Sequence, residues 1–273
     1  MTPTVLTIAG SDSGGGAGIQ ADLKAFARCG VHGMSAITAI TAQNTVAVIA
    51  VHPIPPEIVL AQVRAVLSDI GVDAVKVGML GTAEVTLAVA QALDELPAGT
   101  PVVVDPVMVA ESGAPLLAAD ARRALIEEIL PRASVLTPNL PEARVLVGRE
   151  AERGGDENAE AEALARAVLA LGPRAVVLTG GHRARMVDLF LDGAGDGTPV
   201  EIEGVRHPDG SAHGSGCTHS SVLAAQLALG NTPLEAARIA RRLASAAVGA
   251  GLRELGAGAG PVDVMRLERM RDY

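Results

Sequence analysis

Residues 213–218, with the sequence His-Gly-Ser-Gly-Cys-Thr, combine two kinds of chemistry in one short stretch. A run of good helix formers follows them, so the glycines are predicted to lie where a helix begins. Backbone N–H groups are free at a helix start, so Gly214, Ser215 and Gly216 are predicted to form an anion pocket. The thiol of Cys217 would have a lowered pKa there and could serve as a base. The alternative is a glycine-rich helix cap with a buried cysteine.

Two further places in the sequence carry acidic groups that suit metal or phosphate chemistry. Asp105 ends an apolar run and precedes a proline, where a carboxylate is costly unless it faces a cleft or a cation. Asn139 and Glu142 are three residues apart at a predicted strand-to-helix turn, a pair that can hold magnesium-bound water and phosphate oxygens. The alternatives are a loop-capping role for Asp105 and a helix capping box for Asn139 and Glu142, which the spacing alone favours.

The glycine-rich segment 10–18 does not match the common phosphate-binding motifs. It is not a P-loop, because no Gly-Lys-Ser/Thr follows it. It is not a dinucleotide fingerprint, because no acidic residue closes a second strand about 20 residues further on. Alone it predicts a lid or a turn that approaches a ligand closely, and a purely structural turn is the alternative.

Composition limits the function classes. The chain has 273 residues, 49% of them hydrophobic, and we expect residues 1–273 to form a single domain. A net charge of −9 without a basic run argues against nucleic acid and anionic membranes as partners. No apolar stretch is long enough to span a bilayer, and the first residues lack the basic region of a signal peptide. We therefore expect a cytoplasmic protein whose Cys29 and Cys217 are free thiols.

Short β-branched runs alternate with helical patterns along the chain, which predicts an α/β fold with a mostly parallel central sheet flanked by helices on both faces. In such sheets, ligands bind beyond the carboxyl ends of the strands. The unusual residues cluster at the predicted strand ends, in segments 10–16, 43–44, 78–79, 105–108, 137–139 and 179–182.

Seven motifs resemble, in order and with compatible spacing, those of the hydroxymethylpyrimidine/phosphomethylpyrimidine kinase family of the ribokinase-like superfamily. They are segments 9–24, 41–45, 76–80, 105–108, 137–143, 180–182 and 213–218. The resemblance covers nearly the whole chain. It implies an αβα sandwich that uses ATP and Mg²⁺, binds a small-molecule pyrimidine and forms a homodimer. It further implies phosphorylation of 4-amino-5-hydroxymethyl-2-methylpyrimidine and then of its monophosphate, in thiamine diphosphate biosynthesis.

The resemblance also implies roles for individual residues. Cys217 would be the base, and Gln43 would read the pyrimidine edge, because an amide donates to a ring nitrogen while accepting from an amino group; a plain polar loop residue is the alternative. The implied sets are catalytic Gly214, Ser215, Gly216 and Cys217; substrate-binding Gly10, Asp22, Gln43, Met79 and Val107; nucleotide-binding Asn139, Thr179, Gly181 and His213; and metal-binding Asp105 and Glu142.

The chain departs from the family pattern at three positions. Glu111 and Thr179 stand where relatives often carry lysine, which leaves open how the nucleotide phosphates are neutralised. Ser215 replaces the usual threonine. Cys217 stands where sugar kinases of the superfamily carry aspartate, although some pyridoxal-phosphorylating relatives share the cysteine. The alternative functions are therefore a pyridoxal (vitamin B6) kinase and a non-catalytic nucleotide-binding regulator.

Overall fold

The computed structural model describes residues 2–110, 113, 116–150, 156–181 and 185–267. These residues contain a nine-stranded sheet with the spatial order β3-β2-β1-β4-β5-β6-β7-β8-β9. The strands are β1 Thr4–Asp12, β2 His32–Gln43, β3 Val48–Pro53, β4 Ala74–Val77, β5 Val102–Val104, β6 Val135–Leu136, β7 Ala175–Leu178, β8 Val187–Asp192 and β9 Val200–Glu203.

Strands β2, β1, β4, β5, β6 and β7 run parallel, which confirms the mostly parallel sheet predicted from the alternating pattern. Strand β8 pairs antiparallel with β7, and β8 and β9 form an antiparallel hairpin. Strand β3 pairs antiparallel with β2 at the opposite edge and was not predicted. Its residues are nearly all exposed, so it lacks the buried apolar run that revealed the central strands.

The helices are α1 Gly18–Cys29, α2 Pro56–Asp69, α3 Ala83–Asp94, α4 Ala119–Ala124, α5 Leu140–Val147, α6 Glu157–Leu169, α7 Ser215–Ala228 and α8 Pro233–Gly249. Local sequence sets several of their ends. The Thr82 side chain caps α3, Thr232 and Glu235 form a capping box at α8, and Gly30 ends α1 with a φ of 76°. Over the described ranges, no helix has the length and apolar character needed to cross a membrane.

Alternate residues of the central strands face two separate hydrophobic layers. Leu6 and Ile8 pack in a layer with residues of α2, α3, α5 and α6. Val5 belongs to a second layer formed with α1, α7 and α8. Helices therefore cover both faces of the sheet, and the predicted αβα sandwich is confirmed. The carboxyl ends of the parallel strands remain open to ligands.

Candidate active site

A cleft of about 380 Å³ lies at the carboxyl ends of the parallel strands, beside the start of α7. It collects residues that are far apart in sequence, and thereby brings together every predicted site residue except Asp22. Their individual roles stay predictions. The predicted residues that line the cleft are Gly10, Gln43, Met79, Asp105, Val107, Asn139, Glu142, Thr179, Gly181, His213, Gly214, Ser215, Gly216 and Cys217.

The start of α7 presents backbone N–H groups to this cleft. Gly214 has a φ of 81°, and a Cβ at this position would overlap the carbonyl oxygen of Gly16. The N–H of Ser215 already donates to the carbonyl oxygen three residues earlier, at 2.9 Å. In the described part of the chain, the N–H groups of Gly214, Gly216 and Cys217 have no acceptor. Ser215 is therefore not available to an anion as predicted, whereas Gly214, Gly216 and Cys217 remain.

The other glycine-rich segment satisfies its own N–H groups. Asp12 accepts hydrogen bonds from the N–H groups of Gly14 at 2.8 Å, Gly16 at 3.0 Å and Ala17 at 2.9 Å. His213 Nε2 lies 3.2 Å from the same carboxylate. Burial opposes ionisation of Asp12, but the hydrogen bonds from His213 and the loop outweigh it and lower the pKa. This ring nitrogen is paired with Asp12, and nucleotide binding by His213 stays a prediction.

The position of Asp22 differs from the predicted one. Its side chain is fully buried and does not line the cleft, so the prediction of direct substrate contact is wrong in this structure. Its carboxylate oxygens each lie 3.0 Å from Lys76 Nζ. The hydroxyl groups of Thr7 and Ser221 donate to the carboxylate at 2.6 Å and 2.7 Å. These partners hold Asp22 beneath the cleft.

Lys76 is a residue that the sequence analysis missed. It lies at the floor of the cleft within β4, and its side chain has 0% exposure. Burial alone would lower the pKa of this ammonium, but the Asp22 charge outweighs burial and raises it. The available signal was a single lysine inside the apolar strand 74–77, where an unpaired charge would be costly.

The pKa of Cys217 also differs from the prediction. Burial raises the pKa of its thiol to about 12, and the charges of Asp105 and Asp22 add to this effect against the opposing charge of Lys76. The backbone of Gly18 also opposes the rise. The predicted lowering of this pKa by the helix start is therefore wrong, because burial and the neighbouring carboxylates outweigh it. The thiol is protonated at neutral pH.

Asp105 and Glu142 form an acidic pair at the cleft. Ser220 donates to Asp105 at 2.9 Å, and Glu142 completes a capping box in which Glu142 and Asn139 each accept the other's N–H. Burial and then the Asp105 charge raise the pKa of Glu142 to about 8. Burial also raises the pKa of Asp105, against the opposing charge of Lys76. A cluster of three or more metal-binding side chains is absent from the described ranges.

The nucleotide-binding prediction at Thr179 and Gly181 falls on a loop fixed at several points. The N–H of Thr179 donates to the carbonyl oxygen of Pro138 at 2.8 Å, and the N–H of Gly180 donates to Asp188 at 2.7 Å. Thr179 also pairs with Asn139 through a single β-bridge. Glu111 and His182, which belong to the segments discussed above, lie outside the described residues.

Asp188, His219 and Arg241 form a buried charged cluster at the far wall of the cleft, which the sequence analysis also missed. Asp188 lies 3.4 Å from His219 Nε2 and 3.4 Å from Arg241 Nη1. Burial opposes ionisation of Asp188, but His219 and Arg241 outweigh it and lower the pKa. The guanidinium packs directly on Gly204, where any Cβ would displace it. Arg241 therefore brings a cation to the wall that lacks a lysine at Thr179.

The opposite end of the cleft carries the predicted pyrimidine-binding residues. The Thr41 hydroxyl shares its hydrogen between the Ser11 carbonyl oxygen at 2.8 Å and Gln43 Oε1 at 3.2 Å, and the amide N–H groups of Gln43 remain for a ligand. A Cβ on Gly10 would lie 2.8 Å from Met79 Cε, so a larger residue at this position would shift the methionine side chain. Val107 lines the same space. We call the region formed by Gly10, Gln43 and Met79 the acceptor side.

Known proteins match this chain over nearly its full length. A hydroxymethylpyrimidine/phosphomethylpyrimidine kinase from Rhizobium meliloti is 50% identical over 265 residues, which cover 96% of this chain and 97% of the relative. The structure of a phosphomethylpyrimidine kinase from Clostridium difficile 630 has a TM-score of 0.76 and 38% identity, and the match covers 88% of this chain and 97% of that one.

A third match has a different name. The structure of a pyridoxal kinase from Staphylococcus aureus, in complex with AMP-PCP and pyridoxal, has a TM-score of 0.85 and 34% identity. That match covers 99% of this chain and 96% of the other. The sequence profile described as phosphomethylpyrimidine kinase matches residues 12–263. Together with the near-complete coverage by the Rhizobium relative, this match establishes that the chain belongs to the phosphomethylpyrimidine kinase family.

Proposed function

We propose that this chain transfers phosphoryl groups from ATP to 4-amino-5-hydroxymethyl-2-methylpyrimidine and then to the monophosphate so formed, in thiamine diphosphate biosynthesis. The observation that carries the proposal is the placement of the free N–H groups of Gly216 and Cys217 in one cleft with the acidic pair Asp105 and Glu142. N–H groups at a helix start suit phosphoryl oxygens, and an acidic pair suits the cation that accompanies nucleotide phosphates. The name of the Rhizobium relative supports the same activity.

The acidic pair fits Mg²⁺ as the cation. Mg²⁺ keeps several waters and is commonly held by one or two carboxylates together with substrate phosphates. Asp105 and Glu142 would hold it, and their raised pKa values indicate that this part of the cleft disfavours two uncompensated negative charges. When bound, Mg²⁺ would neutralise negative charge on the nucleotide phosphates.

The chain's own groups orient the phosphoryl group and the acceptor. The N–H groups of Gly214, Gly216 and Cys217 donate to the oxygens of the transferring phosphoryl group, where charge develops in the reaction. The Gln43 amide orients the pyrimidine so that its hydroxymethyl arm points toward the start of α7.

Proton removal differs between the two phosphorylations. In the first, the acceptor hydroxyl loses its proton, which only the thiolate form of Cys217 can accept. In the second, the acceptor is a phosphate oxygen that is already ionised at neutral pH, so no base is required. Because the pKa of the Cys217 thiol is about 12, little thiolate is available at neutral pH and the first step depends more strongly on pH.

ADP release in a coupled assay tests the proposal directly. We expect the purified chain to turn over ATP with the pyrimidine alcohol and with its monophosphate, and expect a Gly214→Ala variant to lose both activities. Binding of ATP without ADP release from any acceptor would contradict the proposal and favour a non-catalytic nucleotide-binding regulator.

A second substrate is favoured by the Staphylococcus aureus structure, because that protein is a pyridoxal kinase with pyridoxal bound. Pyridoxal and the pyrimidine both carry a hydroxymethyl arm on an aromatic ring, so one cleft could accept both. Comparing kcat/KM for pyridoxal and for the pyrimidine alcohol distinguishes the two assignments. A higher value for pyridoxal would make this chain a vitamin B6 kinase.

We further propose that the chain works in the cytoplasm as a homodimer. The free thiols Cys29 and Cys217 suit a reducing compartment. Apolar side chains exposed on β2 and β3, including Ile40 at 49% and Ile49 at 74% exposure, support a contact between copies. Sedimentation equilibrium gives the mass in solution, and a monomeric mass at micromolar concentration would contradict the dimer.

A further inference from the structure

Lys76 is a buried charge whose position cannot be explained by strand packing. The residues beside it in β4, Val75 and Val77, are fully buried and apolar. A buried ion pair such as Lys76 with Asp22 is often no more stable than apolar side chains of the same volume. Stability alone therefore does not explain why a lysine occupies this position, and we look for an effect of its charge on the cleft.

Positively charged side chains are unevenly distributed around the cleft. In the described residues, the lysine and arginine residues at the cleft are Lys76, Arg206 and Arg241. Arg241 lies on α8, and Arg206 follows β9, at the end of the sheet opposite to β1 and β2. Of these three, Lys76 is the one on β4, which pairs with β1, the strand that carries Gly10 of the acceptor side. Asp105 and Glu142 otherwise make the surroundings acidic.

We propose that Lys76, held by Asp22, is a positioning residue that makes the acceptor side favour an anionic acceptor, a phosphate monoester, over a neutral alcohol. The inference rests on the proposed function, since it concerns the choice between its two acceptors. The Lys76 side chain is fully covered, so its ammonium does not touch a ligand and acts through space. Its field is effective because the covered site has a lower dielectric constant than water.

Two variants of the same ion pair separate charge from structure. Lys76→Met removes the cation and leaves the Asp22 charge, whereas Asp22→Asn removes the anion and keeps the shape of the side chain. Both break the same contact, so loss of packing affects both acceptors similarly in each variant. A change in the field acts with opposite sign in the two variants and is greatest for the charged acceptor.

The quantity to measure is the ratio of kcat/KM for the monophosphate to kcat/KM for the alcohol. We expect Lys76→Met to lower this ratio about 10- to 100-fold, and Asp22→Asn to raise it or leave it unchanged. The charge-balanced double variant Asp22→Asn/Lys76→Met should recover most of the wild-type ratio although it has no ion pair. If Lys76→Met alone does not fold, the double variant can be compared with Asp22→Asn instead. Thr7→Val removes a hydrogen bond to Asp22 without changing charge and should keep the ratio.

Alkylation of Cys217 gives a second measurement that needs no catalytic activity. Iodoacetate is an anion and iodoacetamide is neutral, and both require the thiolate, so the ratio of their rates reports the local field rather than the thiol pKa. In a Cys29→Ser background, we expect Lys76→Met to lower the iodoacetate-to-iodoacetamide rate ratio at least about threefold and Asp22→Asn to raise it.

The outcomes of the two measurements are distinguishable. If the wild-type chain phosphorylates neither pyrimidine, the proposed function fails, and the alkylation ratio still decides whether Lys76 sets the field. If both acceptors are used but Lys76→Met leaves both ratios unchanged, the role of Lys76 is refuted while the proposed function stands. A double variant with a kinetic ratio as low as that of Lys76→Met would also refute it, because its local charge is balanced.

Discussion

The raised pKa of Glu142 predicts an unusual dependence of stability on pH. The unfolded chain releases this proton near pH 4.5, whereas the folded chain retains it up to about pH 8. Between these values the folded state binds more protons than the unfolded state, so the free energy of unfolding falls as pH rises and becomes level above pH 8. Glu142→Gln removes the ionisable group and should therefore abolish this contribution to the fall in the free energy of unfolding.

The magnitude follows from the separation of the two pKa values. At about 1.4 kcal/mol for each pH unit, the full separation corresponds to about 5 kcal/mol. Glu142 is half-buried at an open cleft, so we discount this to about 2–3 kcal/mol for solvent screening. The glutamine side chain can still accept the Asn139 N–H, so the capping box is retained.

Urea unfolding in the presence of EDTA, from pH 5 to pH 8.5, measures this effect. We expect Glu142→Gln to gain about 2–3 kcal/mol over the wild type across that range, and added Mg²⁺ at pH 8.5 to stabilise the wild type more than the variant. Glu84→Gln, which removes an exposed first-turn glutamate of α3, is the matched control. Parallel curves for wild type and Glu142→Gln would refute the reasoning.

Three further predictions concern the reaction. Gly214→Ala should lower both the melting temperature and, by more than about 100-fold, kcat/KM for ATP, because its Cβ overlaps Gly16. Gly216→Ala, whose Cβ would lie 3.9 Å from the nearest carboxylate oxygen, should keep the wild-type melting temperature. Equal melting temperatures for the two variants would contradict this. The rate of the first phosphorylation should rise about tenfold per unit from pH 7 to pH 9 as Cys217 thiolate accumulates, whereas the second should stay nearly level; matching pH–rate profiles would argue against the base. Gln43→Leu should raise KM for the pyrimidine about tenfold or more without changing ATP affinity in titration calorimetry, and weaker ATP binding would contradict the assignment.

The sequence predicted the fold well because parallel strands buried on both faces leave a strong signal. The apolar run 102–104 and the glycine-rich helix start at 214–216 are both local patterns, and both are found where expected. Strand β3 was missed because it lies at the edge of the sheet and has few buried residues. Its position depends on pairing with β2 rather than on its own composition.

The site was predicted as a set of residues but not as an electrostatic environment. The helix start at Gly214 correctly indicated free N–H groups, but the pKa of Cys217 depends on burial and on Asp105, which is more than 100 residues away in sequence. Similarly, Asp22 on α1 matched a family motif, but its partner Lys76 is contributed by strand β4, more than 50 residues further along the chain. Such long-range contacts are set by the tertiary fold, and no local pattern reports them.

Asp12 gives the two glycine-rich turns of this protein opposite characters. By bonding to the amides of Gly14, Gly16 and Ala17, it acts as a resident anion in a nest that would otherwise attract a soluble one. In an Asp12→Ala protein, these three N–H groups would therefore be free to bind inorganic phosphate, in competition with the start of α7. The carboxylate of Asp12 thus occupies one of the two groups of backbone N–H donors and leaves the start of α7 as the one open to an anion.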